Sequence, residues 1–261
     1  MPLAVLLPTV GLLGLLLGSF LNVVVWRVPR GESVVHPPSH CPNCGGSIGA
    51  RDNVPVLSWL LLRGRCRHCE ARISARYPLV ELATAALFAV VAYRFGWSWE
   101  LPAFLYLAAI SVALALIDLD VKRLPNAIVL PSYPVVALLL LLPAAVSGAW
   151  GDYLRALIGM VALFALYFVL ALVYPAGMGF GDVKLAGVLG LCLGWLGWAE
   201  LAVGGFAGFL LGGVIGAVLM VVGRATRKSQ IPFGPFMLVG AFIAVFWGDD
   251  LAALYLDRVL V

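Results

Sequence analysis

The sequence predicts an all-α polytopic membrane protein of about eight transmembrane helices, with a small zinc-ribbon-like domain between the first and second. Three observations carry this reading. Of 261 residues, 63% are hydrophobic and only 11% charged, where a soluble chain carries roughly 25% charged residues. The mean hydropathy is +1.04. A globule of this size cannot hide that much apolar surface from water, and a disordered or collagen-like chain is excluded by the same figures. Finally, one stretch, 26–77, is polar and rich in Arg, and it holds four of the five cysteines.

A helix needs ~20 mostly apolar residues to cross hydrocarbon. Runs at 3–25, 78–95, 101–117, 126–146, 153–175, 183–197, 201–222 and 231–247 meet or approach this. The sixth is short and the eighth carries Pro232 and Pro235, so the count is eight or seven. Those prolines also mark the inner end of the eighth span as a candidate gate. The first span does not read as a cleavable signal: it is long, and the first basic residue in the chain is Arg27. The chain therefore divides into a first span (1–25), a cysteine domain (26–77), a membrane core (78–247) and a short outer or interfacial tail (248–261).

Basic residues collect on the cytoplasmic side of membrane proteins. With the N-terminus outside, 14 of the 17 Lys and Arg fall on inner segments, and only Arg94, Arg155 and Arg258 on outer ones. This places the cysteine domain in the cytoplasm.

The cysteines read Cys41-Pro-Asn-Cys44 and Cys66-Arg-His-Cys69, with 21 residues between the pairs. Two such knuckles complete a tetrahedral thiolate set for structural zinc, with no open position for chemistry. Two disulfides are the alternative, which a reducing cytoplasm disfavours. His68 is not needed as a ligand. No interleaving of aromatic and basic residues points to nucleic acid. Cys192, alone in the sixth span, reads as a packing residue.

Acids at membrane depth are costly and usually functional. The candidates are Glu81, Asp118, Asp120 and Asp182. Asp118 ends the third span on the face of Ala108, Ser111 and Ala115, and Asp182 opens the sixth on the face of Ala186, Gly190 and Gly194. Both acids thus terminate stripes of small residues, where membrane helices approach closely. Both sit at cytoplasmic ends. No G-x-S-x-G elbow, H-E-x-x-H motif or His within a span offers another catalytic system. Two carboxylates then suggest aspartyl chemistry, one activating water and the other, protonated, polarising a carbonyl. The helix macrodipole favours the anion at Asp182 and disfavours it at Asp118, so Asp182 is expected as base and Asp118 as proton holder. Structural readings stand beside these. Asp118 or Asp120 caps a helix or pairs with Lys122 or Arg123, Asp182 is an N-cap, and Glu81 pairs with Arg76.

Taken together, several motifs resemble the bacterial type IV prepilin peptidases, aspartic peptidases of the G-x-G-D class. These are Gly-Ser-Phe-Leu-Asn-Val-Val-Val-Trp-Arg (18–27), the two C-x-x-C knuckles, Asp-Asn-Val-Pro-Val-Leu-Ser-Trp-Leu (52–60) and Arg-Tyr-Pro-Leu-Val-Glu-Leu (76–82). Ile117-Asp-Leu-Asp, Leu124-Pro-Asn, Gly179-Phe-Gly181-Asp182-Val-Lys184 and Ile231-Pro-Phe-Gly-Pro-Phe complete the set. The resemblance implies a bacterial inner-membrane enzyme that removes the short basic leader from prepilins and pseudopilins of type IV pili and type II secretion. It further implies N-methylation of the new terminus with S-adenosylmethionine. By position it makes Asp118 and Asp182 the catalytic pair and the four Cys the family's cytoplasmic metal domain. Asn126 departs from the pattern, which has an acid after Leu-Pro. No Rossmann fingerprint locates the methyl donor, and Asn22 and Arg27 read either as cofactor or substrate contacts or as interfacial side chains. Alternative functions are a leader peptidase without methylation, a transporter with a regulatory zinc domain, or an assembly scaffold. Besides substrate and membrane lipid, a second copy is a candidate partner: Gly204, Gly208, Gly212 and Gly216 form a stripe suited to gripping either another helix of the chain or a dimer partner.

Overall fold

The computed structural model describes residues 2–175, 177–224, 226 and 231–259. Arg227 and Lys228, counted above among the inner basic residues, and the last two residues of the tail lie outside the described residues. The chain forms two compact units, residues 1–113 and 114–261. The first holds α1 (Leu3–Arg27), a 3-10 turn at Val28–Arg30, the cysteine domain with its 3-10 turn Ala50–Asp52 and short α2 (Leu57–Leu61), α3 (Arg76–Phe95) and the first part of α4 (Leu101–Val121). The second holds the rest of α4, then α5 (Asn126–Ser147), α6 (Trp150–Val173), α7 (Phe180–Leu196), α8 (Trp198–Val221) and α9 (Gly234–Val259). Among the described residues no strand forms, only isolated antiparallel bridges at His40–Ser47 and Arg65–Arg72.

Among the described residues eight long helices stand where eight spans were expected, and seven of them are long and apolar enough to cross a membrane. The exception is α7, of 17 residues, which rises about 25 Å. It is apolar on every side because it is buried on nearly every side. Within its unit it packs against α5, α6, α8 and α9. Such a helix presents little surface to lipid.

Small residues set the seams. In the first unit a Cβ on Gly14 would stand 2.7 Å from Ala85 Cα, and one on Gly18 2.7 Å from Glu81 Cα, so α1 lies directly on α3. In the second unit a Cβ on Gly159 would stand 2.6 Å from the Gly190 carbonyl oxygen, which closes α6 onto α7. Arg155 completes that seam. Its guanidinium donates to the last carbonyls of α7, at Gly194 (2.7 Å) and Trp195 (2.7 Å), and pairs with Asp152 at 2.9 Å.

The glycine stripe of α8 is occupied from within the chain. A Cβ on Gly208 would meet Met237 Cα at 3.0 Å, one on Gly204 Ala244 Cβ at 3.0 Å and one on Gly212 Phe236 at 3.3 Å. Gly216 faces Ile231 at 3.8 Å. The stripe is therefore an intramolecular seam with α9 and not a free dimer face.

Pro232 and Pro235 do not interrupt a helix, as the expected gate required. They stand at the start of α9, where the missing N–H costs nothing. The break in α9 comes instead at Trp247 (φ −136°, ψ 16°), and helix resumes through the tail to Val259.

Candidate active site and metal centre

Asp118 lies in the last turn of α4 and is 5% exposed. Its Oδ2 accepts the backbone N–H of Gly234, the first residue of α9, at 3.0 Å. Asp182 lies in the first turn of α7 and is 8% exposed. Its Oδ2 accepts the N–H of Gly179, the N-cap of α7, at 3.0 Å. This satisfies one of the orphan donors of the helix start. Each carboxylate is thus fixed through one oxygen by a glycine amide at a helix N-terminus.

Leu124 brings the two together. A Cβ on Gly181 would stand 3.0 Å from Leu124 Cβ, and one on Gly234 3.3 Å from Leu124 Cδ2 and 2.8 Å from Asp118 Oδ2. Leu124 therefore fills the space between the glycine that precedes Asp182 and the glycine that binds Asp118. Behind them Tyr167, Phe209 and Phe233 form an aromatic cluster with ring centroids 5.0–6.4 Å apart. The Tyr167 hydroxyl donates to Gly205 O at 2.9 Å.

Around Asp182 the α7 start is pinned by α5. The Tyr133 hydroxyl donates to Lys184 O at 2.6 Å. Lys184 Nζ donates to Asn126 Oδ1 at 2.8 Å and sits 4.8 Å over the Phe180 ring. Asn126, which departs from the expected acid, still supplies the acceptor for this lysine. Sequence reasoning gave no role to Gly234, Leu124 or Tyr133. The Pro-Phe-Gly-Pro run was the available signal for Gly234.

Glu81 has a structural partner in the backbone. It is buried, and its Oε2 accepts the Val56 N–H at 2.7 Å. Val56 has φ +60° and ψ −50°, and the Leu57 N–H returns to Pro55 O at 2.6 Å. This is a strained γ-turn, unusual for a β-branched residue, and the buried carboxylate holds it in place. Cys192 is fully packed inside α7, as expected.

The metal centre is built from two copies of one turn. In the first knuckle Cys41 N–H donates to Gly46 O and Gly45 N–H to Cys41 O, each at 2.9 Å. In the second Cys66 N–H donates to Ala71 O at 2.9 Å and Glu70 N–H to Cys66 O at 3.0 Å. The matched positions Gly45 (φ +69°) and Glu70 (φ +56°) are both left-handed. Glycine is suited to that conformation, and Glu70 adopts it at a cost. Asp52 chelates Arg67 (2.6–3.0 Å) and ties the second knuckle to the Ala50–Asp52 turn.

The four sulfurs lie within 4.8 Å of one another. Zinc–sulfur bonds of about 2.3 Å in a tetrahedron put sulfurs about 3.8 Å apart, and Cys41 and Cys69 are separated by 3.8 Å. The set can hold a metal ion and is compatible with zinc. Two of its thiols are lowered and one is raised: against the Gly46 amide, which lowers it, the Cys69 sulfur, burial and the Cys41 sulfur push Cys44 up to about 11. The Asn43 side chain, donating to Cys69 Sγ at 3.6 Å, and then the Ala71 amide push the Cys69 thiol down to about 6. The Cys44 and Asn43 amides lower Cys41.

An all-helical membrane protein with a buried pair of aspartates and a separate thiolate centre is the class that these features define. Comparison with known proteins is consistent with it. The model of the Bacterial Peptidase A24 N-terminal domain matches residues 12–95, and that of the Type IV leader peptidase family matches residues 104–221. A Prepilin leader peptidase/N-methyltransferase of Stutzerimonas stutzeri is 37% identical, covering 94% of this chain and 92% of its own. Proteins of the same name from Aeromonas hydrophila (40% identical; 95% and 93% covered) and Bacillus subtilis (34%; 95% and 96%) also match. No solved structure matches. The chain belongs to the type IV leader peptidase family.

Proposed function

We propose that this protein removes the short basic leader from type IV prepilins and pseudopilins at the cytoplasmic face of the bacterial inner membrane, then N-methylates the residue it exposes. One observation carries the peptidase reading: Asp118 and Asp182, on separate helices, are each anchored by a glycine amide and meet around Leu124. The name shared by the full-length relatives supports both activities. The peptidase-only and transporter alternatives lack such support.

In this mechanism Asp182, at the N-terminus of α7, is the base. It takes a proton from water, and the oxygen forms a bond to the scissile carbonyl carbon. Asp118 gives its proton to the carbonyl oxygen. The tetrahedral species then collapses: one hydroxyl returns its proton to Asp118 as the carbonyl re-forms, the C–N bond breaks, and the leaving amine takes the proton that Asp182 holds. Each carboxylate keeps Oδ2 on its glycine amide, so Oδ1 is the working oxygen. Cys41, Cys44, Cys66 and Cys69 would hold zinc, which would fasten the knuckles and, with four protein ligands, leave no position for chemistry. S-adenosylmethionine would supply the methyl group when bound, and the new terminal ammonium of the substrate would give up a proton to accept it.

The positive-inside bias supports an outside N-terminus and a cytoplasmic cysteine domain. In reconstituted membranes with a prepilin, Asp118→Asn and Asp182→Asn are each expected to abolish cleavage with zinc content unchanged. If both variants still cut, the reading is wrong.

A further inference from the structure

Two exposed aromatic side chains mark a level in the first unit. Trp26 lies at the inner end of α1 and Tyr77 at the inner end of α3, and such rings settle among lipid headgroups. Glu81 stands one turn further along α3 than Tyr77, about 6 Å deeper, inside the apolar run that begins at 78. On α1 its neighbour is Gly18, and Asn22 Nδ2 fixes that register by donating to Tyr77 O at 3.2 Å. Yet Glu81 accepts the N–H of Val56. The chain between the two knuckles therefore dips deeper than the headgroup level. Asn53 and Pro55 agree with this, since they wall one cavity with Leu16 and Ser19 of α1.

Irregular backbone at such a depth must find its hydrogen-bond partners inside the protein, and this segment does. The N–H of Asn53 donates to Ala50 O, that of Leu57 to Pro55 O and that of Ser58 to Val54 O. The N–H of Val54 goes to Ser58 Oγ at 3.0 Å and that of Val56 to Glu81, while Pro55 has none. A buried hydroxyl and a buried carboxylate thus do here what water does for an ordinary loop. Short α2 follows at once. Leu57, Leu60 and Leu61 share one face of it and all three are exposed, Leu61 by 82%. The rest of α2 is tied inward: Ser58 Oγ donates to Arg51 O at 2.8 Å and Trp59 Nε1 to Ile73 O at 3.1 Å. Exposed Arg51 and Arg63 flank the leucines. Residues 26–77 hold eight Arg against Glu32, Asp52 and Glu70, a charge that an anionic leaflet attracts.

We propose that residues 53–61 form a re-entrant element of the cysteine domain. Leu57, Leu60 and Leu61 sit at the headgroup–acyl boundary of the inner leaflet, and Arg51 and Arg63 rest on lipid phosphates. Glu81 is then the group that makes the dip possible, by satisfying the Val56 amide where no water reaches it. The leaflet is the inner one on the topology proposed above; a nanodisc is open on both faces, so the test is independent of that topology.

The test uses the full chain, zinc-loaded, in nanodiscs of phosphatidylethanolamine and phosphatidylglycerol. A fluorescent amino acid replaces Leu61 in one variant and Gly49, exposed with open space around it, in another. Two quenchers are compared: a phospholipid carrying a nitroxide high on its acyl chain, and aqueous iodide. The lipid nitroxide is expected to quench position 61 about threefold or more over position 49, with iodide ordered the other way. Zinc content reports folding, and should the Leu61 variant misfold, the same probe at Leu57 or Leu60 decides. Iodide quenching at 61 as strong as at 49, without quenching by the lipid, overturns the proposal, because the leucine face then meets water. Protection from both quenchers also overturns it, because protein then covers the face. Lipid quenching at 61 that added prepilin abolishes would make the face a substrate seat and likewise overturn it.

Discussion

A carboxylate serves as acid or base only when one oxygen is held and the other is left to the substrate. Backbone amides of Gly179 and Gly234 do the holding here. At position 234 the amide and the absence of a side chain both matter, since a Cβ there would stand 2.8 Å from Asp118 Oδ2. Gly234→Ala is therefore expected to lower kcat for leader cleavage tenfold or more, ~1.4 kcal/mol in the barrier, with KM little changed. Steady-state cleavage of a prepilin checks this, and full activity would refute the positioning role. The two aspartates were legible in the sequence because a charge in an apolar run is conspicuous. Their holders were not, because a main-chain N–H belongs to every residue but proline and leaves no mark in composition.

At the scale of elements, the cysteine domain shows how spacing becomes geometry. The C-x-x-C repeats announced the four sulfurs, and the matched turns bring them within bonding range of one ion. What the sequence concealed is the role of Asn43, which points its amide at Cys69 of the other knuckle. A thiol lowered to about 6 ionises readily, so less binding energy goes into displacing its proton, and protons compete with the metal as the pH falls. In Asn43→Ala the Cys69 thiol rises toward its ordinary value, protons compete sooner, and metal is lost at a higher pH. An acid titration with a chromophoric zinc chelator reads the midpoint; a midpoint that stays in place, or falls, counts against the assignment. The helices were legible as apolar runs, and the α8 stripe as a packing face. Its partner was not, because a stripe of small residues states that something approaches without stating what. The prolines misled for a related reason: Pro235 at the first turn of a helix and a proline in its middle look alike in a hydropathy trace.

For the whole molecule, orientation depends on a parity. With α7 counted as a crossing, the chain passes the bilayer eight times and both ends lie outside; without it, the C-terminus lies in the cytoplasm. Asp118 and Asp182 lie at one face in either arrangement, since Asp182 opens α7; the first arrangement is the one that agrees with the placement of Lys and Arg, because it keeps Arg224, Arg227 and Lys228 inside. Alkaline phosphatase fused after Val261 is thus expected to be active in intact cells, and the same reporter inserted at Gly49 inactive. The reverse pattern would invert the topology. A last consequence comes from Leu124. Its isobutyl group is the spacer between the two glycine segments, and it belongs to a connecting loop and not to either acid's helix. An inhibitor of this enzyme accordingly need not carry a group that imitates the transition state. A small apolar compound that evicted Leu124 from its slot would disarm both aspartates from the side, and resistance to it would be expected to map to the loop and not to the acids.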